Sequence, residues 1–164
     1  MKIAFLALLL PLGGCALQPL YSGGSSGVVA SALTDITIAP IEGKAGWLMQ
    51  AALRDRLGEP RTARYRLDIE LDDRISGFGV RRDDAVTRER RTLRARYRLI
   101  EVGPGTVVLD ATAGSDAGID VVGSDYATIA AENSALERLT GVVADQIVER
   151  VALFARRTTE AAPQ

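Results

Sequence analysis

The feature that most constrains the fold is the recurrence of apolar residues at every second position in three segments near the middle of the chain. In each segment the apolar residues occupy odd-numbered positions, and in the first two segments every even-numbered position between them is charged. The apolar positions are Tyr65, Leu67, Ile69 and Leu71, then Leu93, Ala95, Tyr97 and Leu99, and finally Val107, Leu109, Ala111 and Ala113. A period of two residues predicts β-strands that bury one face and expose the other. Because Gly103-Pro104-Gly105 forms a tight connection between the last two segments, we expect an antiparallel meander.

The sequence that flanks the meander predicts one more strand and two helices. Residues 35–41 alternate and include Pro40, which is typical of a short strand. Residues 44–57 repeat apolar residues at near-helical spacing and precede Gly58, a residue type that often ends a helix. Residues 125–157 carry the aliphatic stripe of an amphipathic helix. The predicted fold class is therefore α+β, a two-layer sandwich in which a four-stranded mixed or antiparallel sheet carries two helices on one face, in the order β-α-β-β-β-α.

The N-terminus predicts export and lipid attachment. Lys2 precedes an apolar stretch of ten residues, 3–12, which is too short to span a bilayer, since a spanning helix needs about 20. The stretch is typical of a signal peptide, here residues 1–14. Leu12-Gly13-Gly14-Cys15 resembles the lipobox of bacterial lipoproteins, so Cys15 is the predicted lipid-attachment residue. Its acyl chains would anchor the protein, because each buried methylene contributes about 0.8 kcal/mol.

Composition also predicts the domain boundaries. Residues 15–33 combine the lipidated N-terminus with a Gly/Ser-rich tether, which we expect to be flexible. Residues 34–157 form the α+β domain, which is long enough to bury its own hydrophobic core. Residues 158–164 are polar and include Pro163, so we expect a disordered tail.

The composition argues against several functional classes. The chain contains no histidine, its only cysteine ends the leader, and its formal net charge is −1. We therefore predict no catalytic residue, no metal site, no cofactor and no nucleic-acid partner, because these functions usually rely on histidine, cysteine or a strong basic excess. Asp72 and Asp73 would point to opposite faces of a strand, and Asp83 and Asp84 fall in a polar turn. The predicted function is non-enzymatic.

The order of several short motifs resembles that of the LptE family of lipopolysaccharide-assembly lipoproteins. The motifs are Cys15-Ala16-Leu17-Gln18-Pro19-Leu20-Tyr21, Ile36-Thr37-Ile38-Ala39-Pro40-Ile41, residues 48–57, Tyr65-Arg66-Leu67, Ala95-Arg96-Tyr97-Arg98-Leu99, Tyr126-Ala127, Ala131-Glu132, Ala135, Ala144-Asp145-Gln146-Ile147 and Arg150. Together they cover almost the whole mature chain. One difference is Ala16-Leu17, where family members commonly carry glycine after the cysteine.

The resemblance implies a fold, a partner and a ligand. In that family a small sheet carries two helices, and the protein plugs the barrel of the outer-membrane translocon LptD and helps to deliver lipopolysaccharide to the outer leaflet. We therefore expect a one-to-one complex with an LptD-like barrel, a lipopolysaccharide ligand, and a lipid-anchored location on the periplasmic side of the outer membrane. Ala16 agrees with this location. By resemblance to lipoprotein sorting, an aspartate directly after the lipidated cysteine would favour retention in the inner membrane, and its absence favours the outer membrane.

Two other functions are compatible with the same features. An auxiliary lipoprotein of an envelope lipid ABC transporter would share the leader and a similar small domain. A purely structural envelope lipoprotein would share them too but would have no barrel partner. A neighbouring gene for a lipid-transport ATPase or permease would favour the first of these.

The polar face of the predicted sheet is rich in arginine and is the candidate ligand site. A hairpin of strands two and three centred near residue 81, followed by one centred near residue 104, would leave some arginines facing each other. The predicted pairs are Arg66 with Arg96, Arg64 with Arg98, Asp72 with Arg90, Asp68 with Arg94, Arg98 with Asp110, and Arg96 with Thr112. Like charges destabilise a sheet, and guanidiniums about 7 Å apart along a strand suit a bound phosphate. The residues predicted to bind lipopolysaccharide are Arg64, Arg66, Arg94, Arg96 and Arg98. The alternative is that the arginine-rich face is only solvated and binds no ligand.

Overall fold

A computed structural model describes residues 33–60, 62–80, 86–121 and 123–161 of the chain. The predicted signal peptide, Cys15, the tether before residue 33 and the turn with Asp83 and Asp84 lie outside these residues. The elements are β1 (Ile36–Ile38), α1 (Gly43–Leu57), β2 (Tyr65–Val80), β3 (Val86–Glu101), β4 (Val107–Asp120) and α2 (Asp125–Ala161). The predicted α+β class and the order β-α-β-β-β-α are confirmed.

The sheet is mixed and has the strand order β1-β2-β3-β4. β1 is parallel to β2, because α1 forms a crossover between them, whereas β2, β3 and β4 are antiparallel neighbours. In the turn between β3 and β4, Gly105 has a φ of 70° and its amide donates to the Glu101 carbonyl oxygen at 2.9 Å. Glycine adopts this left-handed conformation without steric cost. The predicted antiparallel meander is confirmed.

The three long strands extend beyond the alternating segments that predicted them. The ladder between β2 and β3 continues until Val80 lies opposite Val86. Beyond Leu71, the side chains of residues 72–78 are exposed on both faces of β2. Because this half of the hairpin is only partly covered, burial does not impose alternation there, and the sequence pattern stops before the strand does.

Both helices pack on the odd-numbered face of the sheet. α1 contributes Met49, Leu53 and Leu57, which recur at about one helical turn and are buried. Leu33, just before β1, is also buried. The largest fully buried side chains are Met49, Leu53, Leu67, Leu93, Tyr97, Leu99, Leu136, Thr140, Val143, Ile147 and Val151. The alternating positions therefore mark the core face, as predicted.

α2 is one continuous helix from Asp125 to Ala161. Gly141 lies inside it without interrupting it, although glycine costs a helix about 1 kcal/mol relative to alanine. Thr140 and Val143 on either side are buried, so packing against the rest of the domain outweighs this cost. The predicted disordered tail is therefore wrong for residues 158–161, and residues 162–164 lie outside the described chain. Neither α1 nor α2 is apolar enough over a sufficient length to cross a membrane.

One ion pair joins the far half of the β2–β3 hairpin to α2 on the helix-covered face. Arg91 donates to both carboxylate oxygens of Asp73, at 2.8 and 2.5 Å, and to the Glu132 carbonyl oxygen at 2.9 Å. The hydrogen bond to Asp73 raises the pKa of Arg91. On the opposite face, Arg74 donates to Asp72 at 2.7 Å. Asp72 and Asp73 therefore diverge, as predicted, and cannot act on one substrate.

Candidate functional site

The register between β2 and β3 differs from the predicted one. The hairpin is centred at residue 83 rather than 81, because Val80 lies opposite Val86. The pairs on the exposed face are Asp68 with Arg98, Glu70 with Arg96, and Asp72 with Arg94, and Arg66 lies opposite Ile100. The predicted pairs of arginine with arginine, and the predicted pairs Asp72 with Arg90 and Asp68 with Arg94, are therefore wrong.

The charge pattern gives the physical reason for this difference. A register shift by an even number of residues keeps every apolar side chain on the covered face, so alternation cannot select among such registers. The observed register places the acids of β2 opposite the arginines of β3, which is favourable where the predicted register would have been repulsive. Between β3 and β4 the predicted register is confirmed, since Arg98 faces Asp110 and Arg96 faces Thr112.

Each of the predicted ligand arginines makes an ion pair with an acid. The nitrogen–oxygen distances are 3.5 Å for Arg64–Glu101, 2.8 Å for Arg66–Asp68, 3.7 Å for Arg94–Asp116, 3.0 Å for Arg96–Asp110 and 3.3 Å for Arg98–Glu70. The expectation of an unmatched arginine cluster is therefore wrong. The exposed face instead interleaves positive and negative side chains, and this explains why the sheet tolerates so many arginines without a ligand.

These ion pairs are exposed and can exchange partners. The five arginine side chains are 42–61% exposed, and ion pairs of this kind contribute about 0–1 kcal/mol. The hydrogen bond from Arg96 lowers the pKa of Asp110, so this carboxylate stays charged at neutral pH. A phosphate group can replace such a carboxylate as the acceptor, because it carries more charge and more acceptor oxygens.

Two of the arginines that were predicted to bind lipopolysaccharide line one open cavity in the middle of the exposed face. The cavity has a volume of about 450 Å³, and we call it the arginine cavity. Its lining residues are Glu70, Leu71, Asp72, Arg94, Ala95, Arg96 and Thr112. The structure therefore brings Arg94 and Arg96 together and places Arg64, Arg66 and Arg98 outside this cavity.

Gly114 determines where the Arg94 side chain lies, and the sequence analysis did not identify it. Gly114 is directly opposite Arg94, and a Cβ atom on it would lie 2.5 Å from Arg94 Cδ and 2.6 Å from Arg94 Nη1. The arginine can therefore cross β4 only because no side chain is present at this position. A glycine inside a strand often marks such a close approach, and this was the available signal.

The chemistry available at the arginine cavity is the recognition of an anion. Arg94 and Arg96 present planar guanidinium groups, which bind phosphate or carboxylate through two parallel hydrogen bonds. Thr112 lies beside them on β4 and can add a hydroxyl group. Within the described ranges, no group of three or more acidic, histidine or cysteine side chains is arranged to hold a metal ion.

Comparison with protein families identifies the family of this chain. The model of the LptE family, described as lipopolysaccharide-assembly, matches residues 33–151. The chain belongs to the LptE family. The match begins at the buried Leu33 and continues into α2, so it includes the arginine cavity and all five predicted ligand arginines. The resemblance that the sequence motifs indicated is confirmed. No curated protein matches the chain.

Solved structures support the LptE-like fold. A candidate lipoprotein from Caulobacter crescentus CB15 has a TM-score of 0.69 and 24% identity, with 81% of this chain and 98% of that chain covered. Rare lipoprotein B from Shewanella oneidensis has a TM-score of 0.53 and 12% identity, covering 76% and 93%. Lipoprotein B from Nitrosomonas europaea has a TM-score of 0.56 and 14% identity, covering 76% and 84%. At these identities the likeness concerns the fold.

Proposed function

We propose that this LptE-family protein is an outer-membrane lipoprotein that plugs and supports an LptD-like barrel and binds lipopolysaccharide on its way to the outer leaflet. In this proposal, residues 1–14 are a signal peptide, Cys15 carries the lipid, and residues 15–33 tether the domain to the periplasmic side of the membrane. The protein acts by binding and not by catalysis. Membership of the LptE family favours this role over that of a lipid ABC transporter accessory.

The observation that carries the ligand proposal is the arginine cavity. Arg94 and Arg96 lie together in its lining, beside the hydroxyl-bearing Thr112 of β4. Two guanidinium groups and a hydroxyl group suit a phosphate, and lipid A carries phosphates.

Binding in this proposal is an exchange of ion-pair partners. A lipid A phosphate replaces Asp110 on Arg96 and Asp116 on Arg94, and the released carboxylates return to water. The exchange is inexpensive because both carboxylates are already partly hydrated, with 43% and 46% of their side-chain surface exposed. The interleaved acids thus keep the free protein stable without blocking the ligand.

The remaining arginines extend the proposed site along the face. Arg98 follows Arg96 at the next exposed position of β3, about 7 Å away, so a ligand with two phosphates can contact both. Arg64 and Arg66 lie at the start of β2, where Arg66 is paired with Asp68 at 2.8 Å. We assign these three arginines to the outer part of the lipopolysaccharide site.

A binding measurement with paired substitutions tests the ligand proposal. Arg94→Gln with Arg96→Gln should weaken lipopolysaccharide binding by roughly 10-fold or more, because charge-assisted hydrogen bonds contribute about 1.5–3 kcal/mol each. Arg74→Gln with Arg88→Gln is the matched control, since both arginines form exposed ion pairs on the same face but do not line the cavity. Equal losses in the two variants would indicate general charge attraction, and no loss in either would contradict the site.

Isolation from outer membranes tests the partner and the anchor. The tagged protein, purified from detergent-solubilised outer membranes, should bring down a barrel protein in equal molar amount. Cys15→Ser should release the protein from the membrane fraction, because the acyl chains provide the anchor. Membrane retention of the serine variant would contradict lipidation at Cys15. Failure to recover a barrel protein would contradict the plug role and favour the transporter accessory.

A further inference from the structure

A second open groove lies on the helix-covered side of the sheet, at the outer edge of β4. Its volume is about 390 Å³, and its lining shares only Thr112 with the lining of the arginine cavity on the other face. The lining residues are Tyr97, Ala111, Thr112, Ala113, Gln146 and Arg150. The groove exists because the β4 positions in it carry small side chains, which do not fill the space beside α2. We call it the edge groove.

The backbone of β4 at this groove faces away from the sheet. β4 is the last strand of the sheet in the described chain. The Gly114 amide donates to the Gln146 side-chain oxygen at 3.1 Å and not to β3. In an antiparallel ladder, alternate residues direct their amide and carbonyl groups to the same side. Thr112, two residues earlier, therefore also presents its backbone groups at the free edge.

Parts of this edge are protected against strand pairing. Asp110, Asp116 and Asp120 occupy outward positions of β4, and charged residues are a common defence of edge strands. Gln146 occupies the amide of Gly114. The stretch of residues 111–113, which lines the edge groove, carries neither a charge nor such a cover. The edge groove therefore lies beside an uncovered part of the edge.

Arg150 provides a positive charge at the same place. Unlike the five arginines predicted to bind lipopolysaccharide, Arg150 makes no ion pair with any described residue. Burial raises the pKa of the Tyr97 phenol, and the positive charge of Arg150 acts in the opposite direction. The guanidinium therefore lies near the phenol, at the helix side of the edge groove. Its charge is available to a carboxylate that approaches along β4.

We propose that the open edge of β4 at Thr112 binds an extended peptide segment as an additional strand, with a carboxylate of that segment on Arg150. Adding a strand to a free sheet edge is a common mode of peptide recognition, in which alternate side chains enter neighbouring pockets. A side chain of the segment that points to the helix side enters the edge groove. A second copy of this chain suits the edge poorly, because pairing of two β4 strands would bring their aspartates together.

The test uses two capped pentapeptides, acetyl-threonyl-valyl-glutamyl-valyl-threonine amide and its counterpart with glutamine in place of glutamate. The full-length protein in detergent is titrated with each, and the affinity and the hydrogen exchange of the Thr112 amide are followed by NMR. The glutamate peptide should slow exchange at Thr112. Arg150→Gln should weaken the glutamate peptide about 10-fold, as expected for loss of one charge-assisted contact, and leave the glutamine peptide unchanged. Arg138→Gln, an exposed arginine of the same helix outside the groove, should change neither.

Four results would overturn the proposal. The first is unchanged hydrogen exchange of the Thr112 amide when peptide is added, and the second is equal affinity for the two peptides. The third is an equal loss of affinity for the glutamate peptide in Arg150→Gln and Arg138→Gln. The fourth is protection of the Thr112 amide that grows with protein concentration in the absence of peptide, which would indicate self-pairing. Acetate that reproduces the spectral changes without slowing exchange at Thr112 would also overturn it, in favour of a simple anion site. The edge groove lies opposite the arginine cavity, so failure here leaves the lipopolysaccharide proposal unaffected.

Discussion

Replacing Gly114 with alanine should move the Arg94 side chain without removing its charge. The new Cβ atom would lie 2.5 Å from Arg94 Cδ and 2.6 Å from Nη1, which is closer than such atoms can approach. Its distance to the Leu93 carbonyl oxygen would be 3.0 Å, which is tight but tolerable with a small adjustment. Because the long arginine side chain yields more easily than the backbone, Arg94 should leave its position in the arginine cavity.

The expected magnitudes differ for stability and for binding. Displacing Arg94 breaks its 3.7 Å ion pair with Asp116, which is exposed and contributes about 0–1 kcal/mol. The alanine restricts the unfolded chain and offsets about 0.4–1 kcal/mol of this loss. The free energy of unfolding should therefore change by less than about 1 kcal/mol. Lipopolysaccharide binding should weaken by roughly 10-fold if Arg94 contributes one charge-assisted contact.

Gly118→Ala is the matched control for this experiment. Gly118 lies on the same strand and the same face, opposite Arg90, and a Cβ atom there would meet nothing within 4 Å. Both variants should be compared with the parent protein by urea unfolding and by titration with lipopolysaccharide. Parental affinity of the Gly114→Ala variant would refute the role of Arg94 placement. Equal loss in both variants would point to β4 itself and not to Arg94.

Three further predictions concern stability, measured by urea unfolding. Arg91→Leu should lower the free energy of unfolding by about 2 kcal/mol. The loss is smaller than for a fully buried ion pair, because the Asp73 side chain left unpaired is already 23% exposed. An unchanged midpoint of urea unfolding would show that this ion pair does not hold the hairpin to α2. Leu93→Ala should cost about 2–5 kcal/mol, because Leu93 is fully buried, and a loss below about 1 kcal/mol would contradict its place in the core. The hydrogen bond from Arg56 lowers the pKa of Asp145, so this carboxylate stabilises the fold above the unfolded pKa near 4 and loses that effect as the pH falls through its folded pKa. The advantage of the parent over Asp145→Asn should therefore begin to decline near pH 4 and disappear once the pH is below the folded pKa of Asp145, and a difference independent of pH would contradict this reasoning.

The elements of the fold were predictable where burial imposes a pattern. The core residues of β2 and β3 alternate in the sequence, and the sheet buries those positions. The prediction stopped short at Leu71, because the part of β2 beyond it is largely exposed and carries no alternation. It also ended α2 too early, because a polar composition near Thr158 suggested disorder, whereas the helix continues to Ala161. In both places the hydrogen-bonded backbone continues after the side-chain pattern has ended.

The candidate site was predictable in its location but not in its pairings. Arg94 and Arg96 lie on the exposed face, as alternation requires, and share the arginine cavity. The predicted pairing of charges on that face was wrong. The predicted register placed Arg66 opposite Arg96, whereas in the structure Glu70 lies opposite Arg96. Gly114 escaped notice because its role depends on the residue across the ladder, which the sequence of β4 alone does not contain.

The sequence by itself determined which face of each strand is buried and the order of strands and helices. These properties depend on residues that are neighbours along the chain, and the period of apolar positions records them directly. Only the tertiary structure decided which acid neutralises which arginine, that Arg94 lies across Gly114, and that a groove opens between β4 and α2. Registers that differ by two residues bury the same side chains, so the choice among them depends on charge pairs and contacts between strands that are far apart in sequence.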